Sequence, residues 1–377
     1  MPDQVPAAIL DDILKRAHQV EARANALADE MIGALESVRH AILAEMARLQ
    51  ERYLTTDDWS AETYARKSAY LQAQREAVDA LISDVYAGMG EKVRDAALDV
   101  IQTTEAASTA LLASFPSSVD TFIKAGAAGI SASLLADWVK TQTIDGLLIN
   151  EWLAKMGRAT ADRVVAAGRE SLIMGYGVRK TASLMRAQGI EGSVPGLEAL
   201  ARTFLLSASN YAREASITRL TEDSDLLKGW KYVATLDGRT CPICGADDGK
   251  FFPVDKTRPR LQRHINCRCT YVPVTKTWRD FGIDRDELPP PERPAVKHEA
   301  RTVHHRDGSS STRFKVADVE HTTENYNQWL TRQLKEDPAF VRSILGKTRF
   351  DLFKAGKITL DKMVVGNRIK RLSELSK

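Results

Sequence analysis

Apolar residues recur at steps of three or four from the start of the chain: Ile13, Ala17, Val20, Ala24, Leu27, Met31, Leu35, Val38, Ile42, Met46, Leu49 and Tyr53. That spacing puts them on one face of an amphipathic helix of about eleven turns. The residues between them are mostly charged or small, so the opposite face is expected to meet water or a partner. Thr55 to Asp58 break the pattern with residues suited to a helix N-cap, and a second helical run is expected to about Phe115. The two runs predict an antiparallel hairpin of long helices. It either belongs to a bundle core or, as the sharper alternative, forms a coiled-coil arm for self-association.

Phe115-Pro116-Ser117-Ser118 ends this region, and the small, Gly-rich stretch from Ala125 to Ser133 places a boundary between 116 and 140. From Thr143 the pattern turns helical again, with Leu148, Trp152 and Met156 four apart, then Val164, Val165 and Ala167 leading to Ile173. Gly175, Gly177 and Gly189 punctuate helices, and Leu197 to Leu220 reads as one more. After Trp230 the period changes. Trp230 to Thr235, Phe251 to Val254 and Cys269 to Val274 are β-like, with turns at Asp237-Gly238 and Asp248-Gly249. Leu288-Pro289-Pro290-Pro291 predicts an extended linker, Lys297 to Ser311 an exposed polar loop, and the chain is again helical from Tyr326 to Leu334 and from Pro338 onward.

The expected fold class is therefore α+β, mainly α-helical: a long N-terminal helical hairpin or bundle, a central helical domain carrying a small zinc-stabilised β-module, and a helical C-terminal tail. The expected units are 1–120, 121–229, 230–275 for the module, 276–322 for linker and loop, and 323–377 for the tail. A length of 377 residues agrees with more than one packed unit.

Composition narrows the function classes. The hydrophobic and charged fractions of 44% and 27% are those of an ordinary globular protein. No apolar run approaches the length of a membrane span. The N-terminus is acidic where a secretion signal is basic, so synthesis in a cytoplasm is expected. Lys and Arg number 53 against 50 Asp and Glu, a net charge of +3, which gives nucleic-acid binding no general electrostatic support. All four cysteines lie between Cys241 and Cys269. In a reducing compartment, such clustering favours a metal site over a disulfide framework.

Cys241-Pro242-Ile243-Cys244 is a knuckle that can aim two thiolates at one ion while backbone amides bond to sulfur. His264-Ile265-Asn266-Cys267-Arg268-Cys269 supplies three further donors. Zn²⁺ prefers a tetrahedron of such ligands, so five candidates leave one to spare. The favoured set is Cys241, Cys244, His264 and Cys269, with Cys267 exchangeable for Cys269. Enough donors to close the shell point to a structural ion, which at roughly 10–16 kcal/mol would replace the core that so small a module lacks. One or two disulfides, with His264 at the surface, is the competing reading. The Gly245 to Lys250 stretch fails as a phosphate loop, since Phe251 stands where a Ser or Thr would hold Mg²⁺. His304, His305 and His321 read as loop histidines, Arg202 as a structural contact, and no paired-carboxylate or Ser/His/Asp pattern is present.

The string from Tyr232 to Cys244, with Asp248-Gly249-Lys250 and His264 to Val274, resembles the head-morphogenesis domain of tailed bacteriophages, the family of the F-type minor head protein of phage Mu. More loosely the resemblance covers about 145 to 274, including a helix that opens with Trp, a turn like Gly175 to Gly177, and an Ala-Arg-Thr helix matching Ala201 to Thr203. Ile265 departs from the Pro that many members carry. Leu345 to Lys357 is similar to the segment that follows the module in Mu-type proteins, and no appended effector domain is visible.

The resemblance implies a minor capsid protein without enzymatic activity. Such a protein is made in the bacterial host and resides in the virion head near the portal vertex, acting in head assembly and in DNA packaging or delivery. Implied partners are the portal protein and the major capsid or scaffold protein, with phage DNA and self-association as further possibilities. Two other functions stay open at this stage. One is a zinc-containing nucleic-acid-binding module using Arg258, Arg260, Arg263 and Arg268; the other, weaker, is a metal-dependent enzyme.

Overall fold

The N-terminal stripe becomes the inner face of α1 (Ala7–Tyr53): ten of its twelve residues are buried, with Ala17 and Tyr53 half-buried. The structure, a computed structural model, describes residues 7–53, 61–113, 132–174, 176, 178–221, 226–277, 279–281, 284, 290–304 and 309–375. Thr55 to Asp58, Phe115 to Ser118, most of the Gly-rich 125–133 stretch, Gly175, Gly177 and His305 lie outside these residues.

Helix α2 (Ala61–Ala113) runs antiparallel to α1. Gln74 meets Met46 at 3.7 Å, whereas Lys92, further along α2, meets Glu30, earlier on α1. The same reversed order relates α2 to α4 (Ile149–Ile173), where the Tyr86 and Thr160 hydroxyls lie 2.8 Å apart and Arg94 bonds Asn150. Between them come α3 (Ala132–Thr141) and the short strands β1 (Thr143–Ile144) and β2 (Leu147–Leu148). After α5 (Val178–Met185), helix α6 (Val194–Thr221) closes the bundle. One apolar cluster draws on all four long helices, including Leu27 and Met31 of α1, Ile82 and Val93 of α2, Val164 of α4, and Phe204 and Leu205 of α6. The hairpin of long helices is thus part of a bundle core.

The region read as helical from Thr143 is corrected at its start. Asp145 and Gly146 both have positive φ, at 47° and 79°, which makes a tight hairpin turn between β1 and β2; the helix begins only at Ile149. Leu148 pairs with Thr143 in that hairpin, so its four-residue spacing to Trp152 was helical in sequence only.

Beyond α6 the chain forms a three-stranded antiparallel sheet of β4 (Phe251–Pro253), β3 (Leu227–Val233) and β5 (Thr270–Thr275), in that order. Its two faces are covered differently. Val233, Val272 and Val274 pack against Ile9, Leu10 and Ile13 of α1, while Tyr232 and Tyr271 face the cysteines. Alternation along each strand assigns the residues to these faces.

The 297–311 stretch, expected as a loop, instead contributes Lys297 to His304 and the start of the next strand to a ribbon, in which β6 (Arg293–His304) pairs antiparallel with β7 (Ser310–Thr322). It is exposed, as expected, but hydrogen-bonded. With neither face buried over most of its length, the sequence needs no apolar alternation, and the strand signal is absent. The tail continues with α8 (Tyr326–Glu336), α9 (Pro338–Leu345), α10 (Lys347–Lys354) and α11 (Leu360–Met363). It then departs from the helical expectation in a small hairpin, β8 (Val364–Val365) with β9 (Arg368–Ile369), turned at Gly366 with φ of 57°.

The tail docks on the cysteine module through a second core. Tyr326, Trp329 and Phe340 join Leu236 and Ala246 there, and a Cβ placed on Gly245 would collide with the Tyr326 ring. A polar knot holds the join. The fully buried Asp248 carboxylate accepts from the Ala234 amide at 2.7 Å, from the Tyr326 amide at 2.6 Å, and from both terminal nitrogens of Arg293. Removing one partner of a buried, hydrogen-bonded pair costs about 3–5 kcal/mol. Asp248→Ala is expected to lower stability by that order in chemical denaturation and to expose the chain beyond residue 290 to limited proteolysis. Unchanged digestion and midpoint would show that the apolar contacts alone hold the tail.

Candidate metal centre

Cys241 stands at the N-cap of a short helix, α7 (Pro242–Asp247); its sulfur accepts the Cys244 amide at 3.5 Å, the amide-to-sulfur bond expected of a knuckle. Pro242 suits the first helical turn, where no amide donor is required. His264 approaches from the following loop. Its Nε2 lies 3.2 Å from each of the Cys241 and Cys244 sulfurs. Its Nδ1 lies 2.8 Å from the Ile265 carbonyl, which only accepts, so Nδ1 carries a proton and Nε2 is the ring nitrogen turned toward sulfur.

Cys244 links this trio to a second. Its sulfur is 3.9 Å from that of Cys267, and Cys244, Cys267 and Cys269 form a buried group. Within each of the two groups, Cys241–Cys244–His264 and Cys244–Cys267–Cys269, the donor atoms lie within 4.8 Å of one another. All five residues singled out in the sequence therefore come together, with Cys244 common to both groups. The four cysteines are free thiols and form no disulfide among the described residues.

Crowding splits the thiols: Cys241 and Cys267 are lowered, whereas Cys244 and Cys269 are raised by hydrogen bonds to neighbouring sulfurs and by burial. The neighbouring Cys244 pulls the Cys241 thiol down to about 4, and the Cys241 sulfur in turn holds His264 up at about 9. Cys267 is likewise lowered, chiefly by its hydrogen bond with Cys244. Protons and a metal ion compete for the same thiolate and imidazole donors. The donor set, sulfur with one imidazole nitrogen and more than four atoms to choose from, fits a tetrahedral thiophilic ion such as Zn²⁺.

The loop that delivers His264, Cys267 and Cys269 is fixed by residues outside the motif. Asn266 adopts φ of 64°, a left-handed conformation that Asn tolerates better than most residues, and its amide donates to Thr203 Oγ1 at 2.8 Å. The adjacent Arg202 donates to the Asn266 side-chain oxygen at 3.0 Å and to Asn25 of α1 at 3.4 Å. The Ala201-Arg202-Thr203 segment is therefore a clamp on the ligand loop, and Arg202 makes amide-oxygen contacts. Asn210 and Gln262 both donate to the Cys269 carbonyl at 3.0 Å. Arg268, between the last two cysteines, turns back to grip Asp237 through both terminal nitrogens at 2.6 and 2.7 Å. Burial works against the Asp237 charge, but the Arg268 bonds win and hold the carboxyl below its ordinary range. Asp237 also accepts the Arg239 and Thr240 amides, which shapes the turn leading into Cys241.

Three of the four arginines proposed as a nucleic-acid face are turned inward. Arg258 pairs with Glu214 at 2.7 Å and lies over the Trp230 and Tyr271 rings, Arg263 pairs with Asp247, and Arg268 pairs with Asp237. Only Arg260 of the set is exposed. His304 and His321, opposite Ser310 and Pro294, sit toward opposite ends of the ribbon and form no joint site.

Residues 162–272 match the family model described as Phage Mu protein F like protein. The chain carries a Mu F-like domain. The matched stretch runs from the middle of α4 to β5, taking in the Arg202–Thr203 clamp and all five candidate ligands. The family is one of phage head morphogenesis, as the resemblance of the cysteine motif implied. No curated protein and no solved structure gives a significant match to the chain.

The Mu F-like domain also contains a group that the sequence did not single out. Tyr232 is completely buried in the same cluster as Cys244, Cys267 and Cys269, and its hydroxyl has no aligned partner among the described residues. Burial first, and then the adjacent sulfurs, push its phenol well above the ordinary value, so it stays a donor facing sulfur. Hydrogen bonds to ligands typically change metal affinity about 10–100-fold. Tyr232→Phe is expected to raise the rate of metal loss to a chelator by about tenfold with the fold retained; an unchanged rate would make the hydroxyl irrelevant to the site. Cys244→Ser, which removes the residue common to both groups, is expected to abolish stoichiometric metal in elemental analysis and to lower the melting temperature more than Cys267→Ser or Cys269→Ser alone.

Proposed function

We propose that this is a minor head protein of a tailed bacteriophage or prophage, acting near the portal in head assembly and in DNA packaging or delivery. The observation that carries the reading is the Mu F-like match at 162–272, centred on the cysteine cluster. In this reading one Zn²⁺ held by Cys241, Cys244, His264 and one of Cys267 and Cys269 is structural. Donors sufficient to close a tetrahedron leave no position assigned to water, which argues for a clamp and against metal-assisted hydrolysis. The division of labour we infer is a long-helix region at 1–120 and a central helical part at 121–229, the zinc module at 230–275, a connecting segment at 276–322 and a tail at 323–377.

What supports partner binding is the amount of ordered but uncommitted surface: the outer faces of α1 and α2 carry charged, polar and small residues, and the ribbon is exposed. The portal protein, and the major capsid or scaffold protein, are the partners this role calls for, and the virion head is the expected location. Among the described residues no helix is long and apolar enough to cross a membrane.

Two measurements test the reading together. Mass spectrometry of purified particles is expected to find the protein, and affinity capture is expected to recover the portal protein encoded beside it. Absence from purified heads would overturn the virion assignment. Cys241→Ser protein that stays folded but no longer supports infectious particles, with turnover of a phosphodiester substrate lost in parallel, would instead favour an enzyme.

A further inference from the structure

The ribbon of β6 and β7 is the feature that the head-protein reading does not use. A 12-residue strand extends about 40 Å at roughly 3.3 Å per residue. At its base the ribbon is anchored: Ala295 is buried, His298 stacks on Phe340 at 4.2 Å, and Phe314 meets the same ring edge-on at 5.3 Å. The register shifts once, between Lys297 and His298, and the outer part begins after the Ala300–Phe314 pair. Beyond it nearly every residue of both strands is exposed. An isolated two-stranded ribbon is marginal in water, and among the described residues nothing covers the outer part of this one, so its length points to a function outside the fold.

Charge identifies the partner. From His298 to Val316 the sequence holds four Lys or Arg against two Asp or Glu, an excess of two in a chain whose total is +3. Lys315 is neutralised across the ribbon by Glu299 at 2.6 Å. Arg301 and Arg313 are not: they stand directly opposite each other in the register, on the same face, and neither forms an ion pair among the described residues. Like charges directly opposed on paired strands destabilise the pairing, and an anion placed between them reverses the sign of the effect. A two-stranded ribbon also has the width that the major groove of a duplex admits.

We propose that the outer ribbon binds double-stranded DNA through its phosphates, with Arg301 and Arg313 as the principal contacts. The surface is distinct from the metal module, whose arginines are internally paired, and the proposal stands whether or not the protein is a head component. The test is fluorescence anisotropy of a labelled DNA duplex titrated with the full-length protein over a range of salt. Each phosphate contact contributes about 0.9 to the slope of log affinity against log salt, so Arg301→Ala/Arg313→Ala should reduce that slope by about two and weaken binding at low salt by about tenfold or more. Both side chains are exposed and repel each other, so circular dichroism should not change and the melting temperature should not fall. Arg342→Ala/Lys347→Ala, on exposed positions of the tail, should bind as the parent does. The proposal is overturned if the parent protein fails to bind the duplex, if the ribbon variant keeps the parental slope, or if the tail variant loses as much. A ribbon that captures an acidic protein while ignoring DNA would likewise overturn it.

Discussion

The Asp248 carboxylate is shut away from water, and a charge in that position persists only when donors surround it. It has them from three directions: the backbone leaving β3, the first residue of β6, and the amide that opens α8. None of those donors is near the others in sequence. One side chain therefore fixes where the sheet ends, where the ribbon begins and where the tail turns onto the module. The apolar contacts of Tyr326 and Trp329 supply area, but the carboxylate supplies direction, because a buried hydrogen-bonded charge has few acceptable geometries while an apolar face has many. The precision of the cysteine cluster depends on this frame, since the knuckle lies between Asp237 and Asp248 and both carboxylates are locked by arginine.

The bundle and the module meet on different chemistry. Within the bundle the contacts are apolar, and α1 reaches past it to cover one face of the sheet with Ile9, Leu10 and Ile13. Between α6 and the ligand loop, polar bonds are added to the apolar contacts of Ile217 and Ile265: Thr203, Arg202 and Asn210 bind Asn266 and the Cys269 carbonyl directly. An apolar seam would tolerate sliding by a fraction of an ångström, which a metal site does not, whereas directional bonds to the loop backbone fix each donor relative to a rigid helix. This explains why the Mu F-like match begins in the helices and not at the first cysteine: the helical part is the support of the cluster.

How much of this was legible in the sequence depended on whether a residue's partner was local. The long stripe of α1 could be read because a single buried face imposes its period on the whole helix. The five ligands could be read because metal chemistry restricts both residue type and spacing. The ribbon was missed because strands exposed on both faces carry no alternation, and the small hairpin at Asp145-Gly146 was overlooked because Leu148, Trp152 and Met156 happen to continue a helical spacing across its end. Tyr232 gave no signal at all, since a tyrosine in a β-like run is expected to pack, and only the fold shows its hydroxyl among sulfurs.

Charge shows the same dependence on distance along the chain, and here the local reading pointed to the wrong place. Arg258, Arg260, Arg263 and Arg268 crowd together in sequence and suggest a basic surface, yet Glu214, Asp247 and Asp237, contributed by α6, α7 and the turn before it, neutralise three of them inside the protein. Arg301 and Arg313, well separated in sequence, are brought opposite each other by the pairing of β6 with β7, where no acidic side chain among the described residues answers them. Local charge density overestimates exposed charge wherever the fold supplies buried counter-ions, and underestimates it wherever a hairpin superposes two like residues. The electrostatic face of this protein is therefore set by the register of its ribbon and not by the composition of its cysteine module.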